Sequence, residues 1–415
     1  MDKKNIERRE FLKRAAVSAG VGLTLPTGHV LGANDRVRLG IIGPGARGQE
    51  LMKQALALPN VAFTAAADVY TRRRDEAKAM IPTAKIYADH RKLLDSKDVD
   101  AVILATPLHC HARHFMDTVA AGKDLYCEKT MTYSVEEAEV CRAAASRSKQ
   151  VITIGLQHQS GGALADAKKW IKDGALGKVT HVEAWMSRNT PRGKGQWVRP
   201  IPADCNAANV NWKAFLNGRK DRPFDPNRFI NWRLFWDYSG GNVTENMVHQ
   251  IAWIMRALDL PVPTAAFMSG GVFLEKDGRE VPDTIAVTLD FPNDLVVTWQ
   301  STFSNSHFGS GERLLGSHGT IERLAGATDM VTGRSRTGIR YFPEKINRPD
   351  GAAQTGESKD QNHMADFVDA VRTHRTPNAP VEIGYRSAIA AHLANLSYLR
   401  RQRVTLASVL EAARH

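Results

Sequence analysis

A lysine lies where the sequence predicts that a strand ends and a helix begins. The stretch LYCEKTMTYS runs from Leu125 to Ser134. Its apolar start predicts a buried strand, and the S-x-x-E spacing from Ser134 to Glu137 predicts a helix start. Lys129 is therefore expected at the carboxyl edge of a sheet, where open α/β sheets bind ligands. A solvated loop lysine is the alternative, and the other motifs decide between them.

A glycine-rich turn earlier in the chain has the spacing of a dinucleotide-binding motif. In GIIGPGARGQE, the G-x-G-x-x-G glycines follow an apolar strand and open a helix, which is the context that makes the motif specific. We expect a tight turn, a close approach of the backbone to a pyrophosphate, and free N–H groups of the helix start facing the phosphates. The predicted contacts are Gly43, Gly45, Ala46, Arg47 and Gly48. A glycine-rich turn without a ligand is the alternative.

A carboxylate follows the second predicted strand. Asp68 lies 25 positions after Gly43, near the offset of roughly 20 residues at which an acidic side chain binds the adenosine ribose hydroxyls. A negative charge there repels a 2′-phosphate, so NAD is the preferred cofactor. Arg72, Arg73 and Arg74 follow closely and offer the positive charge that NADP requires, which keeps NADP as the alternative.

A carboxylate and an imidazole are spaced for general base chemistry in the second half of the chain. The run from Trp232 to Pro261 predicts a turn at Gly240-Gly241, with Asn242 as a cap and a long helix after it. Glu245 and His249 are four positions apart and should share one face of that helix. A carboxylate beside a histidine fixes its tautomer and poises its pKa. An incidental pair on a packed helix is the alternative.

Two histidines form an H-x-H pair in ATPLHCHARH, a spacing that also occurs in metal sites. Neither His109 nor His111 has a carboxylate or third ligand at a useful spacing, so no metal is predicted. Thr106 and Pro107, at the end of the fourth predicted strand, are expected beside the cofactor together with His111. The four cysteines show no paired spacing, so the pattern indicates no disulfide.

Two kinds of sheet must position these residues. Residues 37–157 alternate short apolar strands with helical patterns, which predicts a parallel sheet covered by helices on both faces. After about residue 157 the strands alternate polar and apolar positions, and residues 284–303 predict two strands joined by a turn. This is the antiparallel pattern of a second domain.

The first residues carry an export pattern. Arg8-Arg9 precede Phe11, Leu12 and Lys13, and a weakly apolar run follows, which resembles a twin-arginine signal. We expect residues 1–33 to be the signal, the twin-arginine translocase to be a partner, and the protein to be periplasmic or exported. A basic amphipathic helix and an uncleaved anchor are the alternatives.

The net charge of +12 does not indicate a nucleic-acid partner. Six basic and three acidic side chains among the first 14 residues account for +3, which leaves about +9. That charge is scattered, and no long basic stripe or recognisable nucleic-acid-binding module is present. Anionic substrates or a solvated surface explain it better.

Taken in order, the segments GPGARG, Asp68, ATPLHCH, CEKTM and the helix with Glu245 and His249 resemble one family. This is the glucose–fructose oxidoreductase, inositol dehydrogenase and rhizopine catabolism group, Gfo/Idh/MocA. The resemblance covers nearly the whole chain after about Asn34. It implies an α/β fold: an N-terminal Rossmann doubly wound parallel sheet over residues 34–157, and a C-terminal α+β domain with a large, mostly antiparallel sheet over residues 158–415. The C-terminal helices would be free to pack back on the Rossmann domain.

The resemblance also implies chemistry. The family's E-K-P motif falls on Glu128, Lys129 and Thr130, and its D-x-x-x-H pair falls on Glu245 and His249. Lys129 would contact nicotinamide and substrate and stabilise the developing charge on the reacting oxygen, while His249 would take the hydroxyl proton with Glu245 tuning it. Thr130 in place of proline and Glu245 in place of aspartate depart from the family pattern.

The expected substrate is a small carbohydrate, and the expected cofactor is a tightly held NAD. Five of the eight tryptophans lie between residues 185 and 236, where their flat faces would suit a sugar; core positions are the alternative for each. The predicted substrate contacts are His158, Arg188, Trp232 and Trp236. Gln157 and Glu128 are predicted to contact the cofactor, and a homo-oligomer is expected.

Three functions remain open from the sequence. An exported NAD(P)-dependent sugar or cyclitol oxidoreductase is preferred. An NAD-recycling glycoside hydrolase, acting by oxidation, elimination and re-reduction, would use the same site. A non-catalytic cofactor-binding protein is the third, supported only by Thr130 and Glu245.

Overall fold

A computed structural model describes residues 36–191, 193–328 and 335–414. These residues separate into two compact units. The first unit consists of the described chain up to Gly155, together with Pro200–Trp232 and Asn362–Glu382. The second consists of Leu156–Arg199, Arg233–Gln361 and the chain from Ile383 onward. The predicted signal at residues 1–33 lies outside the described residues.

The strands of the described residues, in chain order, are β1 (Val37–Ile42), β2 (Val61–Ala67), β3 (Lys85–Tyr87), β4 (Ala101–Leu104), β5 (Asp124–Cys127), β6 (Ile152–Ile154), β7 (Val179–Ser187), β8 (Ala265–Gly271), β9 (Thr284–Phe291), β10 (Leu295–Thr302), β11 (Ser310–Gly316), β12 (Gly319–Thr328), β13 (Ser335–Pro343), β14 (Gln354–Thr355) and β15 (Val404–Thr405).

The helices are α1 (Ala46–Leu56), α2 (Thr71–Met80), α3 (His90–Leu94), α4 (His111–Ala120), α5 (Val135–Ser146), α6 (Gly162–Lys172), α7 (Trp212–Leu216), α8 (Pro226–Ile230), α9 (Val248–Ala257), α10 (His363–Thr373), α11 (Val381–Arg400) and α12 (Leu406–Arg414). A π-helical turn (Val243–Met247) directly precedes α9. No described helix is both long and apolar enough to cross a membrane.

The sheet of the first unit has the order β3-β2-β1-β4-β5-β6, and its strands all run parallel. β4 is buried along its whole length, as expected for a central strand covered on both faces. The strand order reverses direction between β1 and β4. Doubly wound sheets bind their ligands at the carboxyl ends of strands beside such a reversal.

The second unit is built on a nine-stranded sheet with the order β14-β13-β12-β11-β7-β10-β9-β8-β15. Its neighbours pair antiparallel, except β7 and β10, which run parallel. β9 alternates buried and more exposed positions, so one face of this sheet carries the core. The predicted α/β class, with a parallel Rossmann sheet followed by a large, mostly antiparallel sheet, is confirmed.

Two later segments fold with the first unit, although the predicted boundary at residue 157 assigns them to the second. In the segment 200–232, Val210 packs on the fully buried Tyr70 and pairs with it in an isolated β-bridge. In the segment 362–382, helix α10 adds Met364 and Phe367 to the core formed by β1, β2 and α1. Both contacts join residues that are far apart in the chain, so local patterns do not reveal them.

Candidate active site

The turn after β1 leaves room for a ligand at one position and for none at two others. Gly43 has φ +85°, a left-handed conformation that glycine adopts at little cost. A Cβ on Gly48 would overlap the Gly43 carbonyl oxygen, so glycine lets α1 pack against the turn. A Cβ on Gly45 would meet no atom within 4 Å. The space above Gly45, beside the free N–H groups that begin α1, suits a pyrophosphate.

Arg47, in the first turn of α1, forms an ion pair with Glu128 at the end of β5. The Arg47 Nε donates to Glu128 Oε1 at 2.8 Å, and the backbone N–H of Lys129 donates to Glu128 Oε2 at 3.1 Å. Burial acts to lower the pKa of Arg47, but the charges of Glu128 and Tyr126 and the hydrogen bonds to Glu50 and Glu128 together outweigh it, so the pKa is raised. A Cβ on Gly155 would lie 2.9 Å from the carboxyl carbon of Glu128, so Gly155 makes room for this pair. Both partners are predicted cofactor contacts, and the pair places them beside Lys129.

His111 joins the loops that follow two neighbouring strands. Its Nδ1 lies 2.7 Å from the carbonyl oxygen of Thr130, and its Nε2 lies 2.9 Å from that of Thr106. Carbonyl oxygens only accept, so both contacts are hydrogen bonds when the ring carries a proton on each nitrogen. His111 is buried. The Lys129–Thr130 peptide bond next to it is cis.

The two histidines of the H-x-H pair face different backbone groups. His109 Nε2 lies 2.6 Å from the carbonyl oxygen of Phe215, away from the partners of His111. Among the described residues, no group of three or more histidine, cysteine or acidic side chains could hold a metal ion. Pro107 precedes the 3₁₀ turn that carries His109, and the Thr106 hydroxyl lies 3.3 Å from His114 Nδ1.

Asp68 directly follows β2, next to the glycine turn. Its Oδ1 accepts the backbone N–H of Tyr70 at 2.8 Å. Burial raises the pKa of Asp68 to about 6, against the opposing effect of that N–H and of nearby arginines. The carboxylate is therefore mostly ionised at neutral pH and can accept hydrogen bonds from ribose hydroxyls.

The three arginines after Asp68 are each engaged with the protein. Arg72 Nε donates to Asp204 at 2.9 Å, and Arg73 Nη1 donates to Glu76 at 2.6 Å. Arg74 Nη1 donates to the backbone carbonyl of Asp68 at 2.9 Å. Because these contacts occupy the cations that a 2′-phosphate needs, the arrangement favours NAD over NADP.

In the second unit, Glu245 lies in the π-helical turn and His249 in the first turn of α9. The Arg233 Nε donates to Glu245 Oε2 at 3.1 Å, so a guanidinium faces the carboxylate predicted to tune His249. The predicted cap residue Asn242 has helical dihedral angles and no capping bond. Its side-chain amide donates instead to the Ser301 hydroxyl at 2.8 Å, which anchors the start of the helix to β10.

His249 lies beside His158, with ring centroids 5.5 Å apart. His158 Nδ1 lies 3.4 Å from Arg323 Nη2. The second unit thus brings together two of the predicted site histidines. The structure adds Arg323, a neighbour that the sequence analysis missed.

Behind these histidines lies a buried charged network. Arg323 donates to the carboxylate of Glu312 at 2.6 and 2.8 Å, and Gln250 Nε2 donates to the same carboxylate at 2.8 Å. The Arg323 guanidinium also lies 4.5 Å from the ring centroid of Trp253. Gln250 adjoins His249 in the sequence, which is a weak indication that it belongs to the site. No local pattern indicates Glu312 or Arg323.

Arg188 directly follows β7 and is half-buried. Burial lowers the pKa of Arg188, with Glu245 acting in the opposite direction. Its backbone N–H donates to Thr302 O at 2.9 Å. Arg188 and Glu245, predicted at separate places in the sequence, therefore influence each other electrostatically.

The tryptophans proposed as sugar-stacking walls divide between the two units. Trp212 and Trp232 belong to the first unit, whereas Trp185, Trp197 and Trp236 belong to the second. Trp212 stacks on Phe215 with ring centroids 5.0 Å apart, which is a packing role. Gln157, predicted to contact the cofactor, begins a 3₁₀ turn that also carries His158.

Two models of one family match the chain. The model described as an oxidoreductase family with an NAD-binding Rossmann fold matches residues 37–156. The model of the GFO/IDH/MocA C-terminal domain matches residues 214–322. Together they cover more than half of the 415 residues.

Curated relatives match parts of the chain at about 30% identity. A glycosyl hydrolase family 109 protein of Shewanella sp. (strain W3-18-1) is 28% identical over 229 residues, 46% of this chain and 50% of that protein. Inositol 2-dehydrogenase of Gluconacetobacter diazotrophicus is 30% identical over 154 residues, 36% of this chain and 45% of that protein. The chain thus spans about half the length, or less, of these curated relatives.

A solved structure shares the fold. Levoglucosan dehydrogenase in complex with NADH and levoglucosan superposes with a TM-score of 0.67 at 17% identity, over 89% of this chain and 99% of that one. At that identity the likeness shows the fold alone. The matched Rossmann model identifies the first unit as an NAD-binding domain. From both family models, the chain belongs to the Gfo/Idh/MocA family of oxidoreductases.

Proposed function

We propose that this protein is an NAD-dependent oxidoreductase that transfers hydride between a hydroxyl-bearing carbon of a sugar or cyclitol and nicotinamide. The observation that carries the proposal is the turn after β1, which is open above Gly45 and closed at Gly43 and Gly48. Residues 43–48 would hold the pyrophosphate, and Asp68 would accept the ribose hydroxyls. NAD supplies the hydride acceptor or donor when it is bound.

The chain's own residues would handle the proton and the charge. Oxidation of a carbinol requires a base for the hydroxyl proton, and His249 is assigned this role. Glu245 and its partner Arg233 set the electrostatic surroundings of that imidazole. The Lys129 ammonium would hydrogen-bond the reacting oxygen and stabilise its developing negative charge. A positioned proton acceptor of this kind typically contributes ~10²–10⁴-fold to the rate.

The test is the variant Lys129→Met. We expect turnover with a sugar or cyclitol panel to fall to background, while NAD binding and the circular dichroism spectrum stay as in the wild type. The matched control is Lys92→Met, because Lys92 is a well-exposed lysine of the same unit. Full turnover in Lys129→Met would contradict the assignment.

A second function has one observation in its favour. The Shewanella relative is named as a glycosyl hydrolase family 109 protein, and an oxidation–elimination–reduction route would use the same lysine and histidine. This function predicts cleavage of a nitrophenyl glycoside with no net NADH. Net NADH that accumulates in proportion to the oxidised sugar would favour the dehydrogenase instead.

Export is part of the proposal and rests on the twin-arginine pattern at Arg8-Arg9. A protein exported by that route would carry its cofactor across the membrane. We expect lysines at both positions to retain the protein in the cytoplasm, and mass spectrometry of the denatured wild-type protein to find stoichiometric NAD. Unchanged localisation of the lysine variant would remove the export proposal and leave the enzymatic one in place.

A further inference from the structure

Two guanidinium groups act on Glu245. Arg233 donates to Glu245 at 3.1 Å and thereby balances its charge. Arg188 is a second, half-buried guanidinium that is influenced by the same carboxylate. Among the described residues, no carboxylate oxygen lies within 4 Å of the Arg188 guanidinium, and its side chain forms no hydrogen bond. Glu245 thus pairs directly with Arg233 and acts on Arg188 only at longer range.

The backbone fixes where Arg188 lies. Its N–H donates to Thr302 O at 2.9 Å, and the next residue continues the pairing through an isolated bridge between Asn189 and Ser304. The end of β7 is also tied to the helix start, because the Ser301 hydroxyl donates to Met186 O at 2.6 Å and accepts from Asn242. Arg188 is thus held on the same framework that positions Glu245.

A partly desolvated guanidinium without an anion is unfavourable, and an anion that reaches it gains charge-assisted hydrogen bonds. We propose that Arg188 binds a carboxylate of the substrate, so that the sugar oxidised by this protein is an acidic one, such as a uronic acid. The inference rests on the oxidoreductase function proposed above. It adds the substrate's charge, which the family assignment leaves open.

The charge balance favours a carboxylate over a phosphate. Arg233 is paired with Glu245, and Arg323 is paired with Glu312 at 2.6 Å. Of these three described guanidinium groups, Arg188 is the one with no carboxylate within 4 Å, and its planar fork matches the two oxygens of a singly charged carboxylate. A phosphate dianion would require a further cation.

Binding to the NAD-loaded, full-length protein tests the inference. Isothermal calorimetry would compare galacturonate and glucuronate with galactose, glucose and galactose 6-phosphate. We expect the uronates to bind more tightly than the neutral sugars, with an affinity that falls as salt rises. Arg188→Met should weaken uronate binding by roughly 10- to 100-fold, as expected for the loss of a charged hydrogen-bonding partner, and should weaken binding of the matching neutral sugars by a smaller factor.

Two further variants separate charge from geometry. Arg188→Lys keeps the charge but loses the fork, so its uronate affinity should lie between those of the wild type and Arg188→Met. The control is Arg403→Met, because Arg403 is exposed and paired with Asp290 at 2.6 Å; its uronate affinity should match the wild type. If Arg188→Met does not fold, Arg188→Lys and the salt dependence of the wild type still decide the question.

The outcomes distinguish this inference from the proposed function. Neutral sugars that reduce bound NAD as well as uronates do would overturn the inference and leave the function standing. Uronates that bind through Arg188 without any reduction of NAD would support the inference and contradict the function. A preference for the sugar phosphate would overturn the carboxylate assignment, and failure of every sugar to bind would contradict both.

Discussion

Replacing Arg323 by methionine is expected to destabilise the second unit by about 3–5 kcal/mol. Glu312 is 2% exposed and Arg323 is 14% exposed at their side chains, and they lie directly opposite each other on β11 and β12. Removing one member of a buried ion pair strands the other charge in a poorly solvated place, which typically costs this much. Gln250 would remain as a hydrogen-bond donor to Glu312, but it supplies no countercharge.

The neighbouring pair of the same two strands provides the control. Arg313 lies opposite Glu322, and the Arg313 side chain is 44% exposed. Glu322 keeps a second partner, because Arg336 Nη2 donates to it at 3.1 Å. Arg313→Met should therefore cost less than about 1 kcal/mol, as is usual for an exposed pair. The two substitutions have the same chemistry and differ in the burial of the arginine and in whether the carboxylate left behind keeps a second guanidinium.

Urea unfolding followed by tryptophan fluorescence measures both effects. With a slope of about 2 kcal/mol per molar urea, Arg323→Met should lower the midpoint of the second unit's transition by roughly 2 M, and Arg313→Met by less than about 0.5 M. The double variant Glu312→Gln/Arg323→Met should recover part of the loss, since it leaves no buried charge. Equal midpoints for Arg323→Met and Arg313→Met would refute this reasoning, because a buried carboxylate left without a countercharge would then cost nothing extra.

Two further predictions concern the cofactor. Gly45→Ala should keep the wild-type melting temperature and lose NAD affinity, because its Cβ enters open space where the pyrophosphate would lie. Gly48→Ala should lower the melting temperature, because its Cβ overlaps the Gly43 carbonyl. The reverse pattern in calorimetry would exclude these roles. The pKa of Asp68 is raised to about 6, so the acceptor is ionised above that pH and protonated below it. NAD affinity should therefore weaken as the pH falls from 7.5 to 5.5, and Asp68→Asn should remove that dependence in binding titrations.

The local half of this site could be predicted from the sequence. The strand, the three glycines and the helix after them are adjacent in the chain. The spacing of Gly43, Gly45 and Gly48 therefore predicts the turn that they form. Lys129 is likewise placed by the strand before it and the capped helix after it. Each of these features depends on fewer than about fifteen consecutive residues.

Contacts between distant segments could not be predicted. Glu312 and Arg323 meet because β11 and β12 pair in one register, and a one-residue shift would place them on opposite faces. Asn242 has the residue type of a helix cap, yet its backbone is already helical and its side-chain oxygen accepts from Asn246 instead. Val210 joins the first unit because it forms an isolated β-bridge with Tyr70. A local pattern contains no information on such partners.

Lys129 lies between two residues that the rest of the first unit holds in place. On one side, Glu128 is buried and paired with Arg47 at 2.8 Å. On the other, the Thr130 carbonyl lies 2.7 Å from a ring nitrogen of the buried His111. Neither contact uses the lysine ammonium, so both can persist when the side chain of Lys129 is replaced. Substitution of Lys129 therefore changes the chemistry at this edge of the sheet while leaving the supports of the loop intact, which is why loss of turnover in Lys129→Met would report on the ammonium group itself.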